Sequence, residues 1–443
     1  MKNYFWIFIL MSVLSFPFLS RGLYETSEGR YAQVAKTMVV TSNYLIPALN
    51  NAPHLTKPPL TYWIIALGLK IFGVNTFGTR FFHALAWILS GLLILRIGEL
   101  ISNLKRGIFA ASVFATGLFS SLGSWFLTTD TLLVLWQTAA FWSFLEYQKK
   151  DQILIALLFW IFWGLALLTK GPVALLPLIF MIAFDKRNFL KISRSYLWIF
   201  AILIGLSWYI TLELKWPGLL SKLIFEEIYL RSATDFSGRN SAWWAPLPIY
   251  ILPILAASGF WLFGLKKNNK YEKHNIFFFY WIVISLIFFS IVQSRLTLYI
   301  LPLTVPLSLL IALNLDEATF KKQILINGIL IIILKIAGIN FLYQDDAKAI
   351  SLFIERYAPN QRVHFIFEKS LHGVEFYLGN RCLKTTPSKE IKSLIVYQKK
   401  RQDQFNSFLK SYNLHFHPLA DFGKWKLVAV LPSSVEKKYG TYK

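Results

Sequence analysis

The sequence contains very little cysteine and few acidic side chains. Its 443 residues include a single cysteine, Cys382, and 23 Asp+Glu against 46 Lys+Arg, for a formal net charge of +23. One cysteine excludes an intrachain disulfide framework and a zinc cluster built on thiolates. In a soluble protein the excess of positive charge would favour a nucleic-acid partner, so the placement of the basic residues along the chain decides their meaning.

Sequence motifs of several enzyme classes are also missing. The chain has no GxxxxGK[ST] phosphate-binding loop, no HExxH zinc motif and no GxSxG nucleophile motif. The lack of a nucleotide-binding loop argues against a soluble nucleotide-sugar donor. The chain also has no internal repeat.

The chain is instead rich in apolar side chains, with 55% hydrophobic residues, 17% aromatic residues and a mean hydropathy of +0.49. Apolar runs recur, each near the ~20 residues that a membrane-spanning helix needs. We predict about eleven spans in an all-α polytopic membrane protein. They lie near residues 4–20, 78–100, 107–126, 129–147, 152–169, 171–185, 195–214, 246–264, 275–292, 296–314 and 323–343.

The basic residues lie mostly between these runs. With a cytoplasmic N-terminus, every predicted inside loop is basic, as the positive-inside rule requires; these loops contain Lys105 and Arg106, Lys149 and Lys150, Lys186 and Arg187, Lys266 and Lys267, and Lys321 and Lys322. The first segment, "MKNYFWIFILMSVLSFPFLSRG", could also be a signal peptide. Its bulky aromatics and the lack of a small-x-small site favour an uncleaved first helix.

The outer side receives two long loops and the C-terminal part of the chain. We predict a transmembrane domain over residues 1–343, with outer loops at about 21–77 and 215–245, and an extracytoplasmic α/β domain over residues 344–443. The stretch "LTYWIIALGLKIFGV" is apolar but short and contains Lys70, which favours a juxtamembrane helix lying in the interface. In the last domain, "ISLFIERY" and "DQFNSFLKSYN" predict helices, and "RVHFIFE", "SLIVYQ" and "WKLVAVLP" predict strands.

Polar residues at the outward-facing helix ends are the functional candidates, because ionisable groups beside lipid are costly and often functional. Carboxylates supply a base that accepts a proton from a hydroxyl, and Lys and Arg side chains suit a phosphate leaving group. Together they predict group transfer from a lipid phosphate carrier at the outer face. The candidates are Glu25, Glu28, Arg30, Tyr31, Lys57, Asp130, Lys170, Glu226, Glu227, Arg231, Arg295 and Tyr299.

Most of these candidates also have a structural alternative. Glu28 in the first turn of a helix is stabilised by the helix dipole, and Glu25 is then a solvated loop acid. In the same way, Arg30 pairs with a nearby acid, and Asp130 caps a helix. Lysines beside membrane helices often extend their ammonium groups to the interface. This is the structural alternative for Lys170 and for Lys57, whose backbone is extended before Pro58. Glu226 and Glu227 suit a solvated helix face. Arg295 and Tyr299, four residues apart, suit contacts between helices.

Five motifs in order carry a family resemblance: "SEGRYAQVAKTM", "HLTKPPLTYW", "LTTDTLL", "LLTKGPVALLPL" and "SRLTLYILPLTVPLSLL". Over about residues 1–315 the chain resembles the bacterial lipid A aminoarabinose transferases and the wider family of polyprenyl-phosphate-sugar glycosyltransferases, which is related to the protein O-mannosyltransferases. The resemblance implies a GT-C type fold, with many membrane helices and outer juxtamembrane helices. It also implies a polyprenyl- or undecaprenyl-phosphate sugar donor and inversion at the sugar carbon.

The resemblance also implies roles, with departures from the family motif. The family has an Asp where this chain has Ser27, so the catalytic carboxylate is Glu28 or Glu25. The family's Glu before Lys-Pro-Pro is Thr56 here, and Glu227 lies nearest to the position of its accompanying His. No metal ligand is therefore assigned; no cofactor is certain, and a divalent metal stays an open alternative.

These observations predict a glycosyltransferase of the bacterial inner membrane, multi-pass, with its active site on the periplasmic side. We predict that Lys57, Arg30, Arg295 and Lys170 bind the donor phosphate and that Tyr31, Asp130, Tyr299, Glu227 and Arg231 contact substrate. The partners would be the lipid-linked donor, a glycolipid, glycan or protein acceptor and membrane lipid, with no nucleic acid. The alternatives are a lipid transporter and a non-catalytic assembly protein that binds the lipid carrier.

Overall fold

The computed structural model of the protein describes residues 2–24, 27–50, 52–194, 196–226, 242–264, 271–341, 346–366, 371–383, 393–423 and 425–432. Helices dominate these residues. The α-helices, numbered in chain order, are α1 (Lys2–Ser15), α2 (Ser27–Thr41), α3 (Leu60–Phe72), α4 (Thr76–Ile101), α5 (Leu104–Thr116), α6 (Leu118–Trp125), α7 (Thr129–Lys150), α8 (Ile153–Lys170), α9 (Leu176–Phe184), α10 (Lys186–Arg194), α11 (Trp198–Lys215), α12 (Leu219–Ile224), α13 (Leu252–Ala257), α14 (Glu272–Ile291), α15 (Thr304–Asn314), α16 (Glu317–Phe341), α17 (Ala347–Tyr357), α18 (His372–Leu378) and α19 (Gln402–Ser411).

Shorter helical segments and seven strands complete the described elements. The 3-10 or π segments are Phe16–Phe18, Pro172–Leu175, Leu247–Ile251, Gly259–Gly264, Thr297–Leu303, Gly379–Arg381 and Lys399–Arg401. The strands are β1 (Ala48–Leu49), β2 (Ala52–Pro53), β3 (Val363–Phe365), β4 (Cys382–Leu383), β5 (Ser393–Gln398), β6 (Leu414–Phe422) and β7 (Trp425–Pro432).

Six helical segments among the described residues are long and apolar enough to cross a membrane, and a seventh results if α5 and α6, bent by 66°, count as one span. The six are α4, α8, α11, α14, Thr297–Asn314 and α16. The polytopic all-α architecture is therefore confirmed, and every predicted span contains helical residues. Several of these helices, such as Pro172–Phe184, are shorter than a span needs, so the count of about eleven stays a prediction.

The chain divides into two compact units. The membrane unit comprises Met1–Ser20 and Thr37–Lys335, and the C-terminal unit comprises Arg21–Lys36 and Ile336–Lys443. The membrane unit packs around a core rich in aromatic side chains, in which Phe141 meets Trp281 edge to face at 5.5 Å. The predicted interfacial stretch forms α3, which at 13 residues is too short for an untilted span.

The C-terminal unit contains the small sheet that the sequence predicts. Its five strands lie in the order β4-β3-β5-β7-β6, with β3 parallel to β4 and β5, and with β7 antiparallel to β5 and β6. Alternation along β5 buries Ile395 and Tyr397 with Phe405 of α19, whose ring stacks on Tyr397 at 4.1 Å. The predicted division at residues 343 and 344 stays a prediction. The grouping of Arg21–Lys36 with the C-terminal unit is a further finding.

Candidate functional site

The membrane unit contains a cavity of about 640 Å³ with mostly apolar walls, here called the large cavity. Its polar lining includes Lys57, Lys170 and Tyr299, three of the residues that the sequence singled out. Leu, Ile, Val and Phe side chains, mainly from α8, α11, α12 and α14, form most of the remaining wall. The volume lies within the range of about 300–1,000 Å³ that is common for small-molecule sites. The cavity therefore suits a ligand that is mostly apolar and carries an anionic group.

The ammonium of Lys170 forms a buried ion pair with Asp130, a residue 40 positions earlier in the chain. Both side chains are only 5–6% exposed. Lys170 is the last residue of α8, because Gly171 then adopts φ 74°, a left-handed conformation that favours glycine. The lysine Nζ also lies 4.5 Å from the centre of the Tyr299 ring. Two predicted residues, Asp130 and Lys170, thus meet as partners beside a third.

Local capping fixes the carboxylate of Asp130. The Thr128 hydroxyl accepts a hydrogen bond from the Asp130 backbone N–H at 3.3 Å and donates one to Asp130 Oδ2 at 2.9 Å. Thr128 is therefore the N-cap of α7, and Asp130 lies in the first turn, where an acid is favoured by the helix dipole. The predicted capping role belongs to Thr128, and the Asp130 carboxylate is directed to Lys170.

The loop that carries Lys57 is tied down on both sides. Pro58 and Pro59 follow Lys57 and lead into α3. Before the loop, the indole N–H groups of Trp63 and Trp208 donate to the carbonyls of Tyr44 and Leu45 at 2.6 and 2.8 Å. The backbone around the half-buried Lys57 is therefore already constrained, so ligand binding costs little additional backbone freedom.

Arg295 directly follows Ser294, which lines the large cavity. Arg295 itself is not among the described residues that line it. It is 4% exposed, and its guanidinium donates to the carbonyl of Ser290 at 2.7 and 3.2 Å and to the carbonyl of Ala242 at 2.8 Å. These bonds support the structural alternative for Arg295. Its role at the donor phosphate stays a prediction.

Glu28 lies in the C-terminal unit and is 2% exposed. The guanidinium of Arg21 binds both of its oxygens, at 2.8 and 2.9 Å, and the backbone N–H of Tyr24 donates to Oε2 at 2.9 Å. The Arg21 guanidinium in turn lies 4.1 Å from the centre of the Tyr24 ring. These bonds join Arg21 and Tyr24 to the first turn of α2 and engage both oxygens of Glu28.

The remaining candidates separate into three groups. Arg30 and Tyr31 lie on α2, with the Arg30 guanidinium 5.6 Å from the Tyr31 ring centre. Glu226 is paired at 3.9 Å with Lys222, and both side chains are exposed, which fits a solvated helix face. Glu25, Glu227 and Arg231 lie outside the described residues.

Three buried cations among the described residues were not predicted as site residues from the sequence: Arg21, Arg80 and Lys335. Arg21 directly follows the first apolar segment, so the sequence favours an ordinary basic residue that flanks a membrane helix. Lys335 interrupts the last apolar run and is 1% exposed; its Nζ donates to the Leu14 carbonyl at 2.6 Å and to Ser124 Oγ at 3.0 Å. A lysine inside an apolar run is a signal that sequence alone provides.

The described residues contain no group of three or more His, Cys, Asp or Glu side chains placed to hold a metal ion. A divalent metal stays an open alternative.

Known proteins with similar sequences include sugar transferases. Residues 56–211 match the family model of the dolichyl-phosphate-mannose-protein mannosyltransferases. The undecaprenyl phosphate-alpha-4-amino-4-deoxy-L-arabinose arabinosyl transferase 2 of Proteus mirabilis is 30% identical over 75% of this chain and 63% of its own length. The arabinosyl transferase of Aeromonas hydrophila is 29% identical over 71% of this chain and 61% of its own length. The chain thus spans about three fifths of these curated relatives.

Solved structures share the fold. The crystal structure of ArnT from Cupriavidus metallidurans bound to undecaprenyl phosphate matches with a TM-score of 0.74 at 16% identity, over 97% of this chain and 98% of that one. The archaeal oligosaccharyltransferase AglB from Archaeoglobus fulgidus, in complex with an inhibitory peptide and a dolichol-phosphate, matches with a TM-score of 0.52 at 11% identity, over 96% and 74%. These structures show the shared fold, and the 30% identity to the Proteus mirabilis transferase over 75% of this chain shows the family. The chain belongs to the GT-C glycosyltransferases that resemble the undecaprenyl phosphate-aminoarabinose arabinosyl transferases.

Proposed function

We propose that this protein transfers a sugar from a polyprenyl phosphate carrier of the undecaprenyl type to a hydroxyl or phosphate acceptor. The observation that carries the proposal is the large cavity, whose mostly apolar lining includes the two lysines Lys57 and Lys170. A lipid-linked sugar phosphate needs both features, because its chain is apolar and its linking phosphate is anionic. The similar curated proteins are named for an undecaprenyl-phosphate donor, and one similar crystal structure holds undecaprenyl phosphate.

The chemistry follows from the charge of the leaving group. The acceptor oxygen attacks the anomeric carbon, the bond from that carbon to the phosphate oxygen breaks, and the carrier phosphate leaves with inversion. Its charge grows from one negative charge to about −1.5 to −2 at pH 7. A cation beside the phosphate therefore binds the product-like transition state more strongly than the ground state. Lys57 is proposed in this role, and the donor's own phosphate linkage supplies the driving force without ATP.

A carboxylate of the segment after the first helix is proposed to accept the acceptor's proton. Both oxygens of Glu28 already accept hydrogen bonds from Arg21 and the Tyr24 backbone. We therefore assign the base to Glu25 and a positioning role to Glu28. The acceptor is proposed to be lipid A, another envelope glycan or a protein, reached from the periplasmic side of the inner membrane. Mass spectrometry of envelope glycolipids from a deletion strain would identify which of these acceptors is modified.

Replacing Lys57 by methionine tests the assignment of the large cavity. We expect Lys57→Met to weaken binding of a polyprenyl-phosphate sugar about ten- to a hundredfold, because a hydrogen bond to a charged group contributes about 1.5–3 kcal/mol. Lys70→Met is the matched control, since Lys70 is an exposed lysine on the neighbouring helix α3 and does not line the cavity. Donor affinity is measured with labelled lipid and purified protein. Equal affinity in the two variants would remove Lys57 from the site.

The same assay separates transfer from binding alone. Release of free polyprenyl phosphate that depends on an added acceptor supports the enzyme. A protein that binds the donor tightly, but never releases the carrier phosphate with any acceptor, would instead be the non-catalytic carrier-binding protein. That alternative has one observation in its favour, since Ser27 stands where the family has its favoured catalytic Asp.

A further inference from the structure

The segment that carries the proposed carboxylates is bonded to the C-terminal part of the chain. Arg21–Lys36 and Ile336–Lys443 form one compact unit. The Ala347 backbone N–H donates to the Leu23 carbonyl at 2.8 Å, and Tyr24 forms a β-bridge with Asp346. The segment is thus joined by backbone bonds to the start of α17, which follows it by more than 300 residues.

Gly22 and Asp346 form the tightest point of this junction. A Cβ atom built on Gly22 would lie 1.6 Å from Asp346 Oδ1 and 2.2 Å from Cγ, so only glycine fits there. The Asp346 side chain cannot yield easily, because Oδ1 accepts hydrogen bonds from the backbone N–H groups of Lys348 and Ala349 as the N-cap of α17. The residue beside Arg21 is therefore held directly against a capped helix start.

A second junction lies on the same segment, at Lys36 on α2. Its half-buried ammonium donates to the Phe376 carbonyl at 2.7 Å and lies 5.3 Å from the Phe376 ring centre. Burial lowers the pKa of Lys36, and the carboxylate of Glu375 opposes that shift. His372 Nδ1 lies 3.3 Å from Glu375 Oε2 on the same helix, α18. The segment from Arg21 to Lys36 is therefore held near both of its ends.

We propose that the C-terminal domain positions the carboxylate segment for the transfer reaction, with Gly22, Asp346 and Lys36 as positioning residues. The inference rests on the proposed function, because it assigns these contacts to the base of that reaction. None of the three residues is proposed to touch the sugar or the phosphate. Their effect is to fix the positions of Arg21 and Glu28, and Glu25 lies between these two residues in the sequence. The domain is thus a required part of the transferase.

A clash and its relief test the proposal in the full-length protein. Gly22→Ala should lower kcat on the order of 100-fold, the size of effect that a displacement of about 1 Å of a catalytic group can produce. Donor affinity should stay unchanged, because the large cavity lies within the membrane unit. The double variant Gly22→Ala/Asp346→Gly removes the atoms that clash, and glycine is tolerated at an N-cap. It should recover kcat to the level of Asp346→Gly alone.

Amide hydrogen exchange of residues 27–36 supplies a readout that does not depend on turnover. Faster exchange in Gly22→Ala and in Lys36→Met, with protection restored in the double variant, supports the junction. Wild-type kcat in Gly22→Ala, or a double variant slower than Asp346→Gly alone, overturns the proposal. If the wild-type protein transfers no sugar, the proposed function fails, while the exchange experiment still tests whether the C-terminal domain holds this segment.

Discussion

Replacing Glu25 by glutamine is expected to lower kcat by about 10²–10⁴-fold, the usual contribution of a general base. Glutamine keeps the size of the side chain and removes its ability to take a proton. Donor binding should be unchanged, because the donor is assigned to the large cavity of the membrane unit. The measurement is turnover at saturating donor, together with the donor dissociation constant.

The matched comparison is Glu28→Gln, three residues away. An amide at this position presents an NH₂ group to Arg21 and removes the negative charge from this buried pair, in which Arg21 and Glu28 are 3% and 2% exposed. Breaking a buried pair by removing one partner costs about 3–5 kcal/mol. We therefore expect Glu28→Gln to lower the unfolding temperature as well as turnover. The double variant Arg21→Gln/Glu28→Gln removes both charges and should recover part of the lost stability.

The two variants can also give the opposite pattern. Full activity in Glu25→Gln, with an inactive but equally stable Glu28→Gln, would return the role of base to Glu28. In that case the Arg21 guanidinium would act as the group that orients the catalytic carboxylate.

Much of the fold was predictable because its determinants are local. A long run of apolar residues produces a membrane helix, and a short apolar run with β-branched residues produces a buried strand such as β5. The bend of 66° between α5 and α6 was not predictable from hydropathy, since the run stays apolar through Gly117. The short helix α18 was also missed, because its seven residues are too few for a clear period.

The candidate site was predictable residue by residue, but its pairings were not. Asp130 and Lys170 were each singled out as charged residues beside an apolar run. Their ion pair depends on the packing of α7 against α8, which brings together positions 40 apart in the sequence. Arg21 was overlooked because a basic residue after a span has an ordinary explanation as a flanking charge. Its contact with Glu28, seven residues later in the chain, is not predictable from the sequence.

The ion pair between Asp130 and Lys170 carries the second large prediction. We expect Lys170→Met to lower the free energy of unfolding by about 3–5 kcal/mol, because it leaves a buried carboxylate without its partner. The double variant Asp130→Asn/Lys170→Met leaves no buried charge and should recover most of that loss. The control is Lys191→Met, which breaks a pair with Asp151 in which both side chains are 53% exposed. Since exposed pairs contribute little, this variant should unfold close to the wild-type temperature.

Stability and donor binding separate the two roles of Lys170. If Lys170 is purely structural, the double variant should regain both the unfolding temperature and the donor affinity. If Lys170 also contacts the donor phosphate, the unfolding temperature should return while the donor affinity stays low, because methionine carries no charge to bind the phosphate. We expect the second result, since Lys170 both pairs with Asp130 and lines the large cavity. Equal destabilisation by Lys170→Met and Lys191→Met would show instead that burial of the Asp130 pair has no energetic consequence.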